Sequence, residues 1–281
     1  MADGRYGDVN MSSITKRDKV LVCVQARMGS TRLPGKVMRP IFGRPVILHM
    51  IERLRRAATI DDVVIITSTK PEDDCLEELC LHNGINVYRG SELDLLDRHY
   101  QAAQEFGADF VVKIPSDCPL VDPNIVNAVI SLWRDNKEKY DYVSNYHPPT
   151  FPDGMDVEGC TMMALQEAWT EAKPGFQREH TFPFIWDQPE KFSIGNVLNE
   201  HGDMFMTHRW TLDYEEDFQF IEAVYHYFGE HTEFDMNDIL KMLAENPGVF
   251  NINSAHAGIN WYRHHASELQ TVDPQYIKRE V

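Results

Sequence analysis

Arg27, Arg32 and Lys36 set three cations within ten residues, interleaved with Gly29, Ser30, Thr31 and Gly35. Glycine lets backbone N–H groups come close to an oxyanion, and the cations neutralise its charge. A polyphosphate needs both. The alternative, an ordinary solvated basic loop, fits poorly with a loop that directly follows an apolar strand in an acidic chain. A P-loop needs four residues between its glycines and Ser or Thr after the lysine. Here five residues separate Gly29 from Gly35, Pro34 precedes the second glycine, and Val37 follows Lys36. No GxGxxG dinucleotide fingerprint follows the first strand either.

Such a loop needs a rigid element on each side. Lys19 to Val24 is a short apolar run rich in β-branched residues and predicts a buried strand. Pro45 to Ala58 carries Val46, Ile47, Met50, Ile51 and Leu54 at helical spacing, with Pro45 as a helix-opening residue. Strands follow at Asp62–Thr67, Ile85–Tyr88 and Asp109–Ile114, and helices at Glu72–His82 and Leu93–Phe106. This alternation predicts an α/β fold: a mostly parallel sheet with helices on both faces. In such sheets ligands bind beyond the carboxyl ends of the strands. Gln25–Lys36 and Pro115–Pro119 both follow such ends.

After about residue 145 the pattern loosens. Pro148 to Gly154 is a turn-rich connection. Met155–Cys160 reads as a strand and Thr161–Glu171 as a helix. Phe192–Val197 and Arg209–Leu212 are further candidate strands, and Tyr214–Phe228 and Asp235–Leu243 are helices. The expected organisation is a disordered leader over residues 1–18 and one catalytic domain over 19–253. That domain contains an acceptor-binding region near 146–200. A C-terminal extension over 254–281, either a dimer element or a tail, completes the chain.

Forty-four acidic residues against 27 basic ones give a net charge of −17, which repels nucleic acid and anionic membranes. A few cations in one pocket can still dominate locally. The five cysteines include no CxxC pair, so a disulfide framework or zinc site is not expected and a reducing cytoplasm is. No stretch approaches the ~18 apolar residues of a membrane span.

The segment from Gln25 to Lys36 resembles the signature of the sugar-acid cytidylyltransferases, among them the CMP-sialic acid and CMP-Kdo synthetases, and most of all their SpsF-like branch. Similar motifs recur in order at Tyr88–Ser91, Asp94–Arg98, Ser116–Leu120, Pro152–Glu158, Arg178–Thr181 and Arg209–Asp213. The resemblance implies a Rossmann-like fold of the nucleotide-diphospho-sugar transferase type with an inserted acceptor-binding and dimerisation region. It also implies transfer of CMP from CTP to an acidic sugar, a nonulosonic acid or Kdo-like, for a cell-surface glycan. A homodimer with no nucleic-acid or membrane partner is expected.

Residue roles follow from the same resemblance. Ala26, Arg27, Gly29, Ser30, Arg32 and Lys36 would hold the triphosphate, and Arg89, Ser91 and Ser116 the base and ribose. Asp117 and Asp213 would hold Mg²⁺ between carboxylates and phosphate oxygens. With Arg27 and Lys36 they form the expected catalytic set. Asp153, Asp156, Glu158, Arg178 and His180 would meet the acceptor, Arg178 by pairing with the acceptor's carboxylate and His180 as a candidate general base. Plainer roles stand beside these. Asp117 could cap the helix near Asp122, although Asp122 is better placed. Asp213 could be an N-cap with Glu216 completing a capping box. Arg89 could make a surface salt bridge, Asp97 and Arg98 a helix ion pair, residues 151–158 a solvated hairpin, and His180 a structural contact. Two other functions share the features: the same chemistry with another NTP or a non-sugar acceptor, and a catalytically silent nucleotide-binding protein.

Overall fold

The computed structural model describes residues 17–173, 175–230 and 233–278. The expected leader lies, apart from Arg17 and Asp18, outside the described residues. β1 (Val20–Gln25) is the centre of the molecule, and Val20 to Val24 are fully buried because helices cover both of its faces. A two-residue hairpin, β2 (Pro40–Ile41) and β3 (Arg44–Pro45), turns the chain into α1 (Val46–Leu54). Pro45 thus sits just before the first helical residue, where its missing N–H costs nothing.

Alternation then continues through β4 (Asp62–Ser68), α2 (Asp74–His82), β5 (Asn86–Gly90), α3 (Leu95–Glu105), β6 (Phe110–Pro115) and α4 (Pro123–Arg134). The second half adds β7 (Tyr142–Ser144), β8 (Glu158–Thr161), α5 (Met162–Glu171), α6 (Phe176–His180), α7 (Pro183–Trp186) and β9 (Ile194–Asn196). It closes with α8 (Glu215–Phe228), α9 (Met236–Glu245) and α10 (Pro247–Phe250). Side-chain caps set several starts: Asp94 accepts from Asp97 N–H at 2.9 Å, and Asp122 from Asn124 N–H at 2.7 Å.

The sheet runs β5-β4-β1-β6-β8-β7-β9. Only β8 opposes the rest, pairing antiparallel with both β6 and β7. Val20, Val22 and Val24 face a core built with α1, α4, α8 and α9, while Leu21 and Cys23 face α3, α5 and α7. This is the three-layer arrangement the alternation predicts. Among the described residues no helix is long and apolar enough to cross a membrane.

Three expected strands are shorter or absent. Of Phe192–Val197 only Ile194–Asn196 joins the sheet. The run from Met155 enters the sheet only at Glu158. Before that, Asp153 N–H donates to His208 C=O at 2.9 Å and Trp210 N–H to Asp153 C=O at 2.7 Å. The backbones touch so closely that Gly154, at φ 108°, has no room for a side chain: a Cβ would lie 2.5 Å from Thr211 N. Arg209–Leu212 forms no strand; it is tied to its neighbours by a single bridge to Asp153 and by the Leu212 N–H bond to Asp117 C=O at 2.8 Å. β7 escapes sequence reading because three residues carry too little periodicity.

Residues 254–278 pack on the α3–α5–α7 side. Tyr262 and Tyr276 are buried there. Asp187 accepts from the N–H groups of Gln270 and Thr271 at 2.9 and 2.7 Å, and Arg209 Nη1 donates to Ile259 C=O at 3.0 Å. This stretch is part of the folded body, not a free tail.

Candidate active site

Three segments from distant parts of the chain meet at the carboxyl edge of the sheet: the loop after β1, the loop after β6, and Arg209–Asp213. Lys36 joins them. Its Nζ donates to Leu212 C=O at 2.7 Å, to Asp213 Oδ1 at 2.9 Å and to Asp117 Oδ2 at 3.3 Å. Burial pulls its pKa down, but Asp117 and Asp213 together outweigh burial and raise it. Asp213 shows the mirror image: burial pushes its carboxyl up, while Lys36, Arg32 and Arg209 bring it below the ordinary value. Arg32 reaches Asp213 Oδ2 at 2.8 Å. Backbone ties fix the geometry, with Leu212 N–H donating to Asp117 C=O at 2.8 Å.

The loop itself folds around one carbonyl. Ser30 N–H and Gly35 N–H both donate to Met28 C=O, at 2.9 and 3.1 Å, and Gly35 takes φ 67°. Asp73, buried, anchors the loop by accepting from Met28 N–H at 2.7 Å. Gly29, Thr31 and Arg32 keep amide hydrogens with no acceptor among the described residues. Arg27 is exposed, and its guanidinium makes no hydrogen bond or ion pair among those residues. Ala26 is buried and donates its N–H to Ile66 C=O at 3.1 Å. The loop thus presents free amides and a free cation beside a neutralised carboxylate pair.

The capping alternatives for the two aspartates close. Asp122 caps α4, so Asp117 is not needed there. Asp217, not Glu216, accepts from the N–H groups of Asp213 and Tyr214, each at 2.9 Å. Asp117 keeps about a third of its side chain exposed, and its Oδ1 meets only the Cys118 thiol at 3.7 Å.

Arg209 is a hub that sequence reasoning left without a role. It holds Asp217 through two bonds of 2.9 Å and approaches Asp153 at 3.3 Å and Asp213 at 3.6 Å. Its signal was an arginine in an otherwise strand-like run, followed four and eight residues later by aspartates. The Phe151–Glu158 segment is consequently not a solvated hairpin. Asp153 is buried, and burial, opposed by Arg209 but aided by neighbouring carboxylates, lifts its pKa to about 7. Asp156 is half-buried with no side-chain partner among the described residues, and burial together with Asp153 and Asp117 raises it as well.

Several expected ligand contacts are spent inside the fold. Arg89 turns away to Ser68 C=O, Lys70 C=O, Asp74 and Glu77, at 2.7 to 2.9 Å. It bridges β4, β5 and α2, as the salt-bridge alternative expected. Arg178 holds Asp94 at 2.6 Å and the C=O groups of Trp169 and Ala172, closing the end of α5. Glu158 is buried, with one oxygen on Lys113 and the other on Tyr142, both at 2.7 Å. Lys113, a lone cation in an apolar strand, is a second residue that sequence reading passed over. His180 stacks on Trp261 with ring centres 3.9 Å apart. Burial, then the charges of Lys113, His265 and His264, press its pKa down to about 3, too weak a base to take a sugar hydroxyl proton. The next residue, Thr181, is forced to φ 74° in a tight turn. Ser91 Oγ accepts from Asp94 N–H at 3.1 Å, and Ser116, buried, donates its N–H to Gln25 C=O at 3.1 Å. Ser30 Oγ accepts from Leu33 N–H at 3.3 Å.

The sequence model of one family, described as cytidylyltransferase, matches residues 21–246. The chain belongs to the cytidylyltransferase family. It is a CTP-dependent nucleotidyltransferase. The spore coat polysaccharide biosynthesis protein SpsF of Bacillus subtilis is 30% identical over 232 residues, covering 81% of this chain and 95% of that protein. A cytidylyltransferase structure from Leptospira borgpetersenii is 33% identical with a TM-score of 0.79, covering 83% of this chain and 97% of the other. A CMP:2-keto-3-deoxy-manno-octonic acid synthetase solved with CTP is 17% identical with a TM-score of 0.58, covering 75% of this chain and all of the other. It shares the fold. The cytidylyltransferase match spans all three segments that converge on Lys36.

Proposed function

We propose that this cytidylyltransferase transfers CMP from CTP to an acidic sugar, a nonulosonic acid or a Kdo-like acid, with release of pyrophosphate for cell-surface glycan synthesis. The observation that carries the reading is the Lys36 ammonium between Asp117 and Asp213, beside the free guanidinium and amides of the loop. The acceptor hydroxyl attacks the α-phosphorus, and the bond to the β-phosphate oxygen breaks. Arg27, Arg32, Lys36 and the amides of Gly29 and Thr31 stabilise the charge that collects on the leaving pyrophosphate.

Among the described residues no three His, Cys, Asp or Glu side chains form a metal cage. Mg²⁺ asks for less: one or two carboxylates, with waters and phosphate oxygens completing the octahedron. Asp117 and Asp213 fit that demand as hard oxygen donors and would hold the ion, Asp117 with one carboxylate oxygen still open. Bound there, Mg²⁺ would supply charge neutralisation at the α-phosphate. On the acceptor side, Asp156 is the carboxylate left without a partner, and it is the one we expect to receive an acceptor hydroxyl or amino group. The five cysteines are unpaired thiols, which suits the reducing cytoplasm where we place the reaction.

The test is pyrophosphate release from CTP, UTP, ATP and GTP against a panel of 2-keto sugar acids. Turnover with CTP and one such acid is expected. Equal or better turnover with UTP or ATP would overturn the cytidine reading. CTP binding that ignores Mg²⁺, with no pyrophosphate from any acceptor, would favour a silent binding protein.

A further inference from the structure

We infer that Arg89 and Asp73 set the triphosphate loop from behind, as positioning residues that touch no part of the nucleotide themselves. This rests on the reading of Gln25–Lys36 as the loop that holds the triphosphate. It gives Arg89 a part in nucleotide binding although its guanidinium is spent inside the fold.

Asp73 is 1% exposed, and its two oxygens serve different segments. Oδ2 accepts from Ser68 Oγ at 2.5 Å and from Ser68 N–H at 3.3 Å, at the end of β4. Oδ1 accepts from Met28 N–H at 2.7 Å. A carboxylate pinned by one oxygen cannot turn, so the other keeps a fixed aim. The bond to Met28 has an ionised acceptor, which makes it a strong one. What it holds is the pivot of the loop. The C=O of the same residue gathers Ser30 N–H and Gly35 N–H. With Met28 held at both its N–H and its C=O, the amides of Gly29, Thr31 and Arg32 are left available in one arrangement. The start of α2 also packs directly on the loop: a Cβ at Gly29 would lie 3.1 Å from Glu72 Oε1.

Asp73 is only as firm as the connection that carries it, residues 68–74 between β4 and α2. Arg89, on β5, ties that connection together. Its Nε donates to Ser68 C=O at 2.9 Å and its Nη2 to Lys70 C=O at 2.8 Å, while Nη1 reaches Asp74 at 2.7 Å and Glu77 at 2.8 Å. Lys70 C=O also accepts from Asp73 N–H at 3.0 Å, and Ser68 Oγ from Lys70 N–H at 3.2 Å. One guanidinium thus grips both residues that hold Asp73, and the path from Arg89 to Met28 consists of hydrogen bonds throughout. A loop ordered before its ligand arrives loses less affinity to ordering on binding. Cutting the path should therefore weaken any triphosphate, whatever base it carries.

Calorimetric titration of the full-length chain with CTP and with inorganic triphosphate, both with Mg²⁺, tests the inference. Arg89→Met should weaken both ligands by the same factor, about 10-fold, the scale of one hydrogen bond to a charged group. Asp73→Ala should weaken them at least as much. Asp73→Asn should recover most of that loss, because its carbonyl can still accept from Met28 N–H and its amide can donate to Ser68 Oγ. Arg89→Met made on top of Asp73→Ala should add little, since both cut one path. Losses that add in full in the double variant overturn the inference. So does an Arg89→Met chain that binds both ligands as before, and this partly exposed position keeps the test alive if Asp73→Ala fails to fold. Loss of CTP binding alone in Arg89→Met, with triphosphate spared, would also overturn it and make Arg89 a direct base or ribose contact. An unaltered chain that binds neither ligand overturns the reading of the loop itself.

Discussion

Lys36 keeps its charge in a buried position because Asp117 and Asp213 face it, and each of those carboxylates is fixed by the other's segment. The two aspartates do different work. Asp117 is partly exposed with one oxygen open, so Asp117→Asn should change chemistry without unfolding the protein. We expect Mg²⁺-dependent pyrophosphate release to fall about 100-fold or more, the consequence of losing several kcal/mol of charge stabilisation. The melting temperature should fall modestly, because one of the two carboxylates facing buried Lys36 is gone, and retained turnover would sink the metal role. Asp213 is enclosed by Lys36, Arg32 and Arg209, and its folded pKa lies below the ordinary 3.8. A depressed carboxyl contributes stability above its unfolded pKa and loses that contribution as pH falls through the folded value. Asp213→Asn should therefore cost about 1–3 kcal/mol at pH 7. The gap to the unaltered protein should close as urea unfolding is repeated below pH 3.8. A gap that stays constant with pH would contradict the pairing.

At the scale of elements, Asp153–Met155 crosses over Arg209–Thr211 and sets the proposed acceptor side against the proposed metal side. Two backbone hydrogen bonds and the Arg209 hub hold it. Gly154 is the tightest point, at φ 108° with Thr211 N and Trp210 C each 2.5 Å from where a Cβ would be. Gly154→Ala meets backbone on one side and a strained φ on its own, so neither can yield cheaply. We expect a loss of about 2–4 kcal/mol in chemical denaturation. An unchanged midpoint would mean the two segments separate more readily than this packing implies.

For the molecule as a whole, the C-terminal segment lies beyond the matched region yet completes one core. Tyr262 is fully buried between Tyr146, Trp186 and Phe205, and Trp261 stacks on His180. Tyr262→Ala should destabilise the protein by about 3–5 kcal/mol, as large-to-small changes at buried aromatics do. Limited proteolysis should then cut first around α6 and α7, which this segment covers. Cleavage unchanged from the unaltered protein would mean the segment is a passive cover.

Local pattern was enough for the α/β alternation, the strand before the loop, and the positions of the loop and of the two aspartates at the carboxyl edge of the sheet. Each depends on neighbours within a few residues, or on a motif that chemistry keeps together. What the sequence could not decide was where long polar side chains end. Arg89, Arg178 and Glu158 look like ligand contacts along the chain, but in the fold each meets partners 12 to 84 residues away. Arg98 reads as half of a helix ion pair with Asp97, but it is buried and makes no such pair among the described residues. The loop after β1 is local because its backbone makes its own shape; Asp117 and Asp213 come together across the sheet through a lysine 81 residues from one and 177 from the other, and through the Leu212 N–H bond to Asp117 C=O.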